Sequence, residues 1–350
     1  MRILVIQTAF LGDVVLTLPL LAAIRARFPH AHLTILTTSR NAPILNGQPG
    51  VDTVMTYDKR GRQKGLRGMW TVVCAVRAQD FDLVISPHRS VRSALLAVCS
   101  GSLQRIGFAQ WHTRWAYTAT VPRHVTLHEV ERNMQLLQAL QPTGPLPPLR
   151  LSVHVAPEAR RYARHDFVAA GVASDTVLVG LIPGAQWGTK RWPAERFAAL
   201  VERLNARANT RCVLFGSPQD RPIADAITTA CRGLVLDFIG KTPLQTLPAY
   251  LERCTVVVSN DTGPMHIAAA LGKPIVALYG PTTTAMGFTP YGVPWEEISV
   301  MLACRPCNAH GPHHCPLSHW RCMLDLSVER VIGGVERLLQ RAHRPCETAP

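Results

Sequence analysis

No stretch of this chain holds about 20 uninterrupted apolar residues, so nothing in it is expected to span a bilayer as a helix. No Gly-x-Gly-x-x-Gly follows the first apolar strand, which leaves a dehydrogenase reading weak. The glycine-containing loop at 183–190 has no Gly-Lys-Ser/Thr four residues after a glycine, so it is not a P-loop. There is no Lys/Arg block, no basic stripe interleaved with aromatics and no RNA-binding motif, so nucleic acid lacks a reader. Acidic residues are scarce, 23 Asp and Glu against 37 Lys and Arg, for a net charge of +14. That balance favours an anionic partner, whether nucleic acid, membrane surface or phosphorylated substrate, without choosing among them.

What is present describes a globular protein. Hydrophobic residues make up 47% and charged ones 17% of 350 residues, enough for two domains with separate cores. The apolar start Met1–Ile6 is not expected to be a signal peptide. Asp13 interrupts the run, no small-residue cleavage site follows, and helical periodicity continues to Phe28. Six cysteines (Cys74, Cys99, Cys212, Cys231, Cys254, Cys346) are scattered, several in apolar segments, the pattern of reduced cytosolic thiols.

The most informative stretch is Cys254–Gly280. Thr255–Ser259 is a β-branched run suited to a strand buried on both faces. Asp261 is expected to cap the helix that follows, with Pro264 in its first turn and Gly272 as its stop. Pro274–Tyr279 then completes a β-α-β unit. A helix start at the carboxyl end of a parallel strand favours anions, so the N–H groups of Thr262 and Gly263 are candidate phosphate donors. His266, one turn on, points back toward that end; it is equally readable as a half-buried core histidine.

The rest of the chain alternates likewise. Arg2–Gln7 reads as a strand, followed by a turn that presents Gly12 and Asp13 at its carboxyl end, then a helix Val14–Arg27 interrupted early by Pro19. Strands are expected at 31–36, 51–55 and 81–86, the last ending in Pro87-His88-Arg89-Ser90, with helices at 91–99 and 129–140. Gln141–Pro148, four prolines in eight residues, is the clearest linker. Beyond it a second set alternates, with helices expected at 156–170, from 193, and at 222–231 and 244–253. Its strands are expected at 177–182, 211–215 and 234–239. The loop Pro183–Lys190 lies between strand and helix, so Lys190 and backbone donors face strand carboxyl ends; a lone loop lysine is also often merely solvated. Two doubly wound parallel α/β sheets are expected, with the active site in the cleft between them.

Near the C-terminus, Cys304-x-x-Cys307, Cys315 and Cys322 sit among His310, His313, His314 and His319. Four thiols can bind zinc tetrahedrally, yet the second Cys-x-x-Cys of a zinc ribbon is missing. Structural zinc, reduced thiols and redox-active thiols all stay open. The segment 326–341 reads as an amphipathic helix.

Several separated motifs resemble one family. They are Leu11-Gly-Asp-Val-Val14, Pro183-Gly-Ala with Lys190-Arg-Trp-Pro193, Phe215-Gly-Ser217, Ser259-Asn-Asp-Thr-Gly-Pro-Met-His266, Ala270-Leu-Gly-Lys-Pro274 and Leu278-Tyr-Gly-Pro281. In order and spacing they resemble glycosyltransferase family 9, the ADP-heptose:lipopolysaccharide heptosyltransferases, especially the heptosyltransferase II type. Pro264 departs from the more usual leucine and is expected to leave the helix start intact. The resemblance implies a GT-B fold of two Rossmann-like domains facing a central cleft. It implies an acceptor domain over 1–150, a nucleotide-sugar donor domain over 151–325, and a helix over 326–350 crossing back to the first domain.

The implied chemistry is an inverting, metal-independent displacement needing no cofactor. ADP-heptose would be the donor and the lipopolysaccharide inner core the acceptor, at the cytoplasmic face of the inner membrane, with the protein bound peripherally. Asp13 would be the general base; at a helix start it is expected to be ionised without a raised pKa, and so to be a weak base. Lys190, Thr262, Gly263 and His266 would meet the departing diphosphate. Asp261 would accept from heptose hydroxyls and Asp220 from the ribose, and Thr242 would line the adenine pocket; Gly12 and Thr189 also belong to the implied binding set. Rival readings are a GT-B transferase for another nucleotide sugar or glycan acceptor and, more remotely, a basic zinc-containing nucleic-acid-binding protein.

Overall fold

The computed structural model describes residues 1–140 and 149–343, so the proline-rich linker expected at 141–148 and Cys346 lie outside the described residues. The chain divides into two units, Met1–His154 and Val155–Pro350.

The first unit runs β1 (Arg2–Ile6), α1 (Leu11–Val15), α2 (Leu18–Arg27), β2 (His32–Thr37), β3 (Thr53–Thr56), α3 (Gly65–Arg77), β4 (Leu83–Ser86), α4 (Val91–Cys99), β5 (Gln104–Phe108), β6 (Ala119–Val121) and α5 (Glu129–Gln135). Its strands are all parallel in the order β3-β2-β1-β4-β5-β6. Helices cover both faces, so Ile3, Leu4, Val5 and Ile6 are fully buried and the strand has no polar alternation. Leu4, Ile6 and Val84 pack against Val72 and Val76 of α3 and Leu96 of α4. Pro19 sits in the first turn of α2, where its missing N–H leaves no bond unmade. That is why α1 and α2 are separate helices.

Helix α3 and strands β5 and β6 have no counterpart in the sequence-based expectation. The basic, glycine-containing run 59–68 masks the start of α3. Its helical state is set by burial of Val72, Val73 and Val76. Gly68 is required there, because a Cβ would lie 2.2 Å from the backbone of Gln63.

The second unit runs α6 (Pro157–Ala169), β7 (Val177–Ile182), α7 (Ala194–Asn205), β8 (Thr210–Leu214), α8 (Arg221–Ala230), β9 (Leu236–Asp237), α9 (Leu247–Glu252), β10 (Val256–Asn260), α10 (Gly263–Ala270), β11 (Ile275–Tyr279), β12 (Trp295–Ser299), α11 (Arg321–Leu324) and α12 (Val328–His343). Its parallel order, β12-β11-β10-β7-β8-β9, repeats the topology of the first. The edge strand β12, Trp-Glu-Glu-Ile-Ser, buries only Ile298 and so escapes a pattern search.

Helix α12 matches the amphipathic helix expected at 326–341. Its stripe Val331, Ile332, Val335 and Leu338 is buried in the core of the second unit with Val276, Leu278 and Ile298. Gly334 brings it close to β11, since a Cβ there would lie 3.3 Å from Val276. Its apolar stripe is thus used on the second sheet.

Candidate active site

In each sheet the two central strands, β1 beside β4 and β7 beside β10, are where the strand order reverses. At such switch points connections leave in opposite directions and open a crevice at the carboxyl ends. The sequence-predicted site residues Gly12, Asp13, Lys190, Asp261, Thr262 and Gly263 follow three of these four strands.

In the first unit, β1 leads into a loop tied down from several sides. Gln7 Nε2 donates to Thr17 Oγ1 (3.1 Å), Asn41 Nδ2 to the Ala9 carbonyl (3.0 Å) and Lys59 Nζ to the Thr8 carbonyl (2.6 Å). Asp13 is the third residue of α1, just after Gly12, and its Oδ2 accepts from the Phe10 N–H at 3.2 Å. The side chain is half-buried by accessible surface, yet protein encloses it closely. Burial pushes its carboxyl up to about 7, Glu129 pushes the same way, and backbone N–H groups with Arg89 pull back less strongly. This corrects the expectation of an ordinary carboxylate. Desolvation disfavours the charged form, and a base titrating near neutral pH is the stronger one.

Residues that sequence reasoning did not single out complete the surroundings. His88 Nδ1 lies 3.0 Å from Thr8 Oγ1 and 2.9 Å from Ser93 Oγ. Burial, then Lys59 and Arg89, push it down to about 4, so its ring is neutral at pH 7. Glu129 pairs with Arg123 (2.6 Å) and Arg132 (2.9 Å). The available signal was position: Pro87-His88-Arg89-Ser90 ends β4, the strand next to β1.

In the second unit Asn260 braces the loop after β7, donating to the Pro183 carbonyl (2.8 Å) and accepting from the Trp192 N–H (3.2 Å). Lys190 Nζ meets Asp261 Oδ2 at 2.6 Å, and Thr282 Oγ1 donates to the same oxygen at 2.6 Å. The two paired side chains are only 11% and 9% exposed. Asp261 is therefore not the helix cap: Thr262 occupies the cap position and α10 opens at Gly263, because the Asp261 carboxylate is turned toward Lys190. The half-buried start of α10 leaves first-turn N–H groups pointing out of its end. His266 is 3% exposed among the buried residues of α10. Asp220 Oδ2 accepts from the N–H (2.9 Å) and Oγ (2.7 Å) of Ser217. Thr242 is 6% exposed, and its Oγ1 has no partner among the described residues.

The profile of glycosyltransferase family 9 (heptosyltransferase) matches residues 69–320. The chain belongs to glycosyltransferase family 9. It is 28% identical over 310 residues to lipopolysaccharide heptosyltransferase 2 of Escherichia coli (strain K12), covering 83% of this chain and 85% of that one. A solved family 9 glycosyltransferase from Veillonella parvula superposes with a TM-score of 0.88 at 27% identity, covering 97% of both chains. The Escherichia coli ADP-heptose lps heptosyltransferase II structure superposes at 0.78 with 25% identity, over 98% of this chain and all of that one. The two parallel sheets are those of the GT-B fold, and the protein is a glycosyltransferase.

In this family 9 enzyme the cysteine segment lies against the lysine loop. Thr189 Oγ1 donates to the Pro312 carbonyl. The Trp187 ring packs on His313 with centroids 4.5 Å apart, and a Cβ on Gly188 would lie 2.7 Å from the His313 carbonyl oxygen. Burial and the neighbouring thiols Cys307 and Cys315 push Cys322 up to about 11. Burial also pushes Cys315 up, but the N–H groups of Trp320, Leu317, His319 and Ser318 together leave it below its ordinary value. Cys304 Sγ lies 3.8 Å from His319 Nε2. Among the described residues no three His, Cys, Asp or Glu side chains gather to hold a metal ion. The thiols of Cys304, Cys307, Cys315 and Cys322 are nonetheless near enough to raise one another's titration. The nine described cysteines are all free.

Proposed function

We propose that this enzyme moves heptose from ADP-heptose to a heptose hydroxyl of the lipopolysaccharide inner core, as a heptosyltransferase of type II. The observation that carries the reading is the complementary chemistry of the two switch points: a carboxyl titrating at about 7 in one unit, a lysine beside a helix start in the other. In the proposed reaction the acceptor oxygen bonds to the anomeric carbon, and its proton passes to Asp13. The bond to the ADP oxygen breaks, and the charge left on the diphosphate is met by Lys190 and the N–H groups of Thr262 and Gly263. Asp261, released from Lys190 by the diphosphate, turns to the sugar hydroxyls. Asp220 and Thr242 serve the nucleoside, and Gly12, Thr189 and His266 shape the two loops. No cofactor is required, so turnover survives chelation by EDTA. The acceptor is lipid-anchored, and the enzyme binds peripherally at the cytoplasmic face of the inner membrane.

The direct test is mass-spectrometric detection of a heptose added to purified truncated core lipid with ADP-heptose as donor. Tight UDP binding without ADP binding would remove the heptose assignment. A subtler test concerns Gly184. A Cβ there would lie 2.4 Å from Asp220 Cγ, and that short side chain is held twice by Ser217. Gly184→Ala therefore displaces the carboxylate or the loop, and ADP affinity falls about tenfold, or 1.4 kcal/mol, by titration calorimetry. Unchanged affinity would detach Asp220 from the nucleotide.

A further inference from the structure

The carboxyl end of the first sheet exposes apolar surface that its chemistry does not use. Helix α3 carries Leu66 in its first turn at 87% exposure and Trp70, 67% exposed, one turn later. Its other stripe, Val72, Val73 and Val76, is buried, so α3 is apolar on two sides. The loop after β5 adds Trp111 at 88% and Trp115 at 54%. Helix α4 packs against both α3 and the turn that holds Trp115. Helices α3 and α4 and that loop each follow a parallel strand, so their starts share the end of the sheet where Asp13 lies.

The charge around these side chains is strongly positive, with Asp58, tied to the N–H groups of Gly61 and Arg62, as a carboxylate at its edge. Residues 59–79 contain six Lys and Arg and no Asp or Glu, and residues 83–128 contain five Arg and no Asp or Glu. Arg62, Lys64, Arg67 and Arg114 are exposed. Large apolar side chains, tryptophans among them, set in a predominantly cationic field match the boundary of an anionic bilayer, where rings sit at headgroup depth and cations meet lipid phosphates. A patch made to bind another copy of the same chain would instead face its own charge.

We propose that this surface docks the enzyme on anionic phospholipid, with Leu66, Trp70, Trp111 and Trp115 entering the headgroup region. The inference rests on the reading above, in which the acceptor is carried in a membrane, and it names the surface that meets it. Docking by this end holds the Asp13 loop at the height where a lipid-anchored sugar is presented.

The test is co-sedimentation of the full chain with vesicles of phosphatidylcholine alone or mixed with phosphatidylglycerol. Wild-type protein binds the mixed vesicles, not the neutral ones, and high salt weakens the binding. The double variant Leu66→Glu/Trp70→Glu, whose side chains are solvated and so fold normally, partitions at least about tenfold more weakly. Its transfer to a de-acylated, water-soluble acceptor is unchanged. Failure of the wild type to bind anionic vesicles, or equal binding by the variant, overturns the docking surface. So does loss of transfer to the soluble acceptor, or a change of oligomeric state on size exclusion, since either gives the patch another occupant. Vesicle binding lost in the variant, with no transfer by the wild type to any acceptor, supports the surface and overturns the activity instead.

Discussion

Asp13→Asn lowers kcat by about 10²–10⁴-fold, the usual worth of a positioned base, and leaves ADP affinity as it was. The asparagine keeps the shape of the side chain and still accepts from Phe10, so the loop stays in place while the proton acceptor is lost. In the wild type the same group sets the pH dependence. A base works deprotonated, and burial holds this one at about 7, so kcat/KM rises through that pH and levels above it. The variant loses this limb.

Stability runs the other way. The folded carboxyl titrates above its ordinary 3.8, so between those two values the folded state holds a proton that the unfolded state has released. Folding stability therefore falls as pH rises through that window. Asn imitates the neutral form, so Asp13→Asn melts higher than wild type at pH 8, with the gain vanishing below the ordinary carboxylate pKa. Wild-type turnover in the variant, or a pH profile without the limb near 7, would remove Asp13 from the base role.

Lys190→Ala is expected to cost more in structure and comparably in rate. The pair with Asp261 is nearly buried, and removing one member strands the other, at about 3–5 kcal/mol. Thr282 still donates to the remaining carboxylate, which places the loss at the lower end. Loss of the cation facing the diphosphate lowers kcat by about 10²–10³-fold and weakens ADP binding. The double variant Lys190→Ala/Asp261→Asn separates the two effects. With no charge left unpaired its melting temperature recovers toward wild type, while transfer stays lost. Recovery of both would make the pair a structural strut; unaltered turnover in Lys190→Ala would retire the lysine from catalysis.

The same residues mark how far sequence reasoning reaches. Buried strands such as β7 and β10, and a helix stopped at Gly272, are legible because burial on both faces leaves no polar alternation and because Gly272 takes a positive φ of 74° at the helix end. Asp13 and Lys190 are legible as candidates because each follows a central strand. The cap is not, since Asp261 and Thr262 are both good caps and only the position of Lys190 chooses between them. Helix α3 escapes because its start is basic and glycine-containing, and only packing against the sheet makes it helical. Spacing brings the cysteine segment together as a cluster, but does not show the contact of its loop with Thr189 and Trp187.

The sequence by itself determined two parallel α/β units and the strand ends where their chemistry lies, because hydrophobic run length and helix punctuation are local properties of the chain. Only the tertiary structure decided how acidic Asp13 is, what Lys190 touches and which sheet the last helix covers. Ionisation and pairing depend on neighbours that are remote in the chain: Glu129 and Arg89 reach Asp13 through folding alone, and 71 residues separate Lys190 from Asp261.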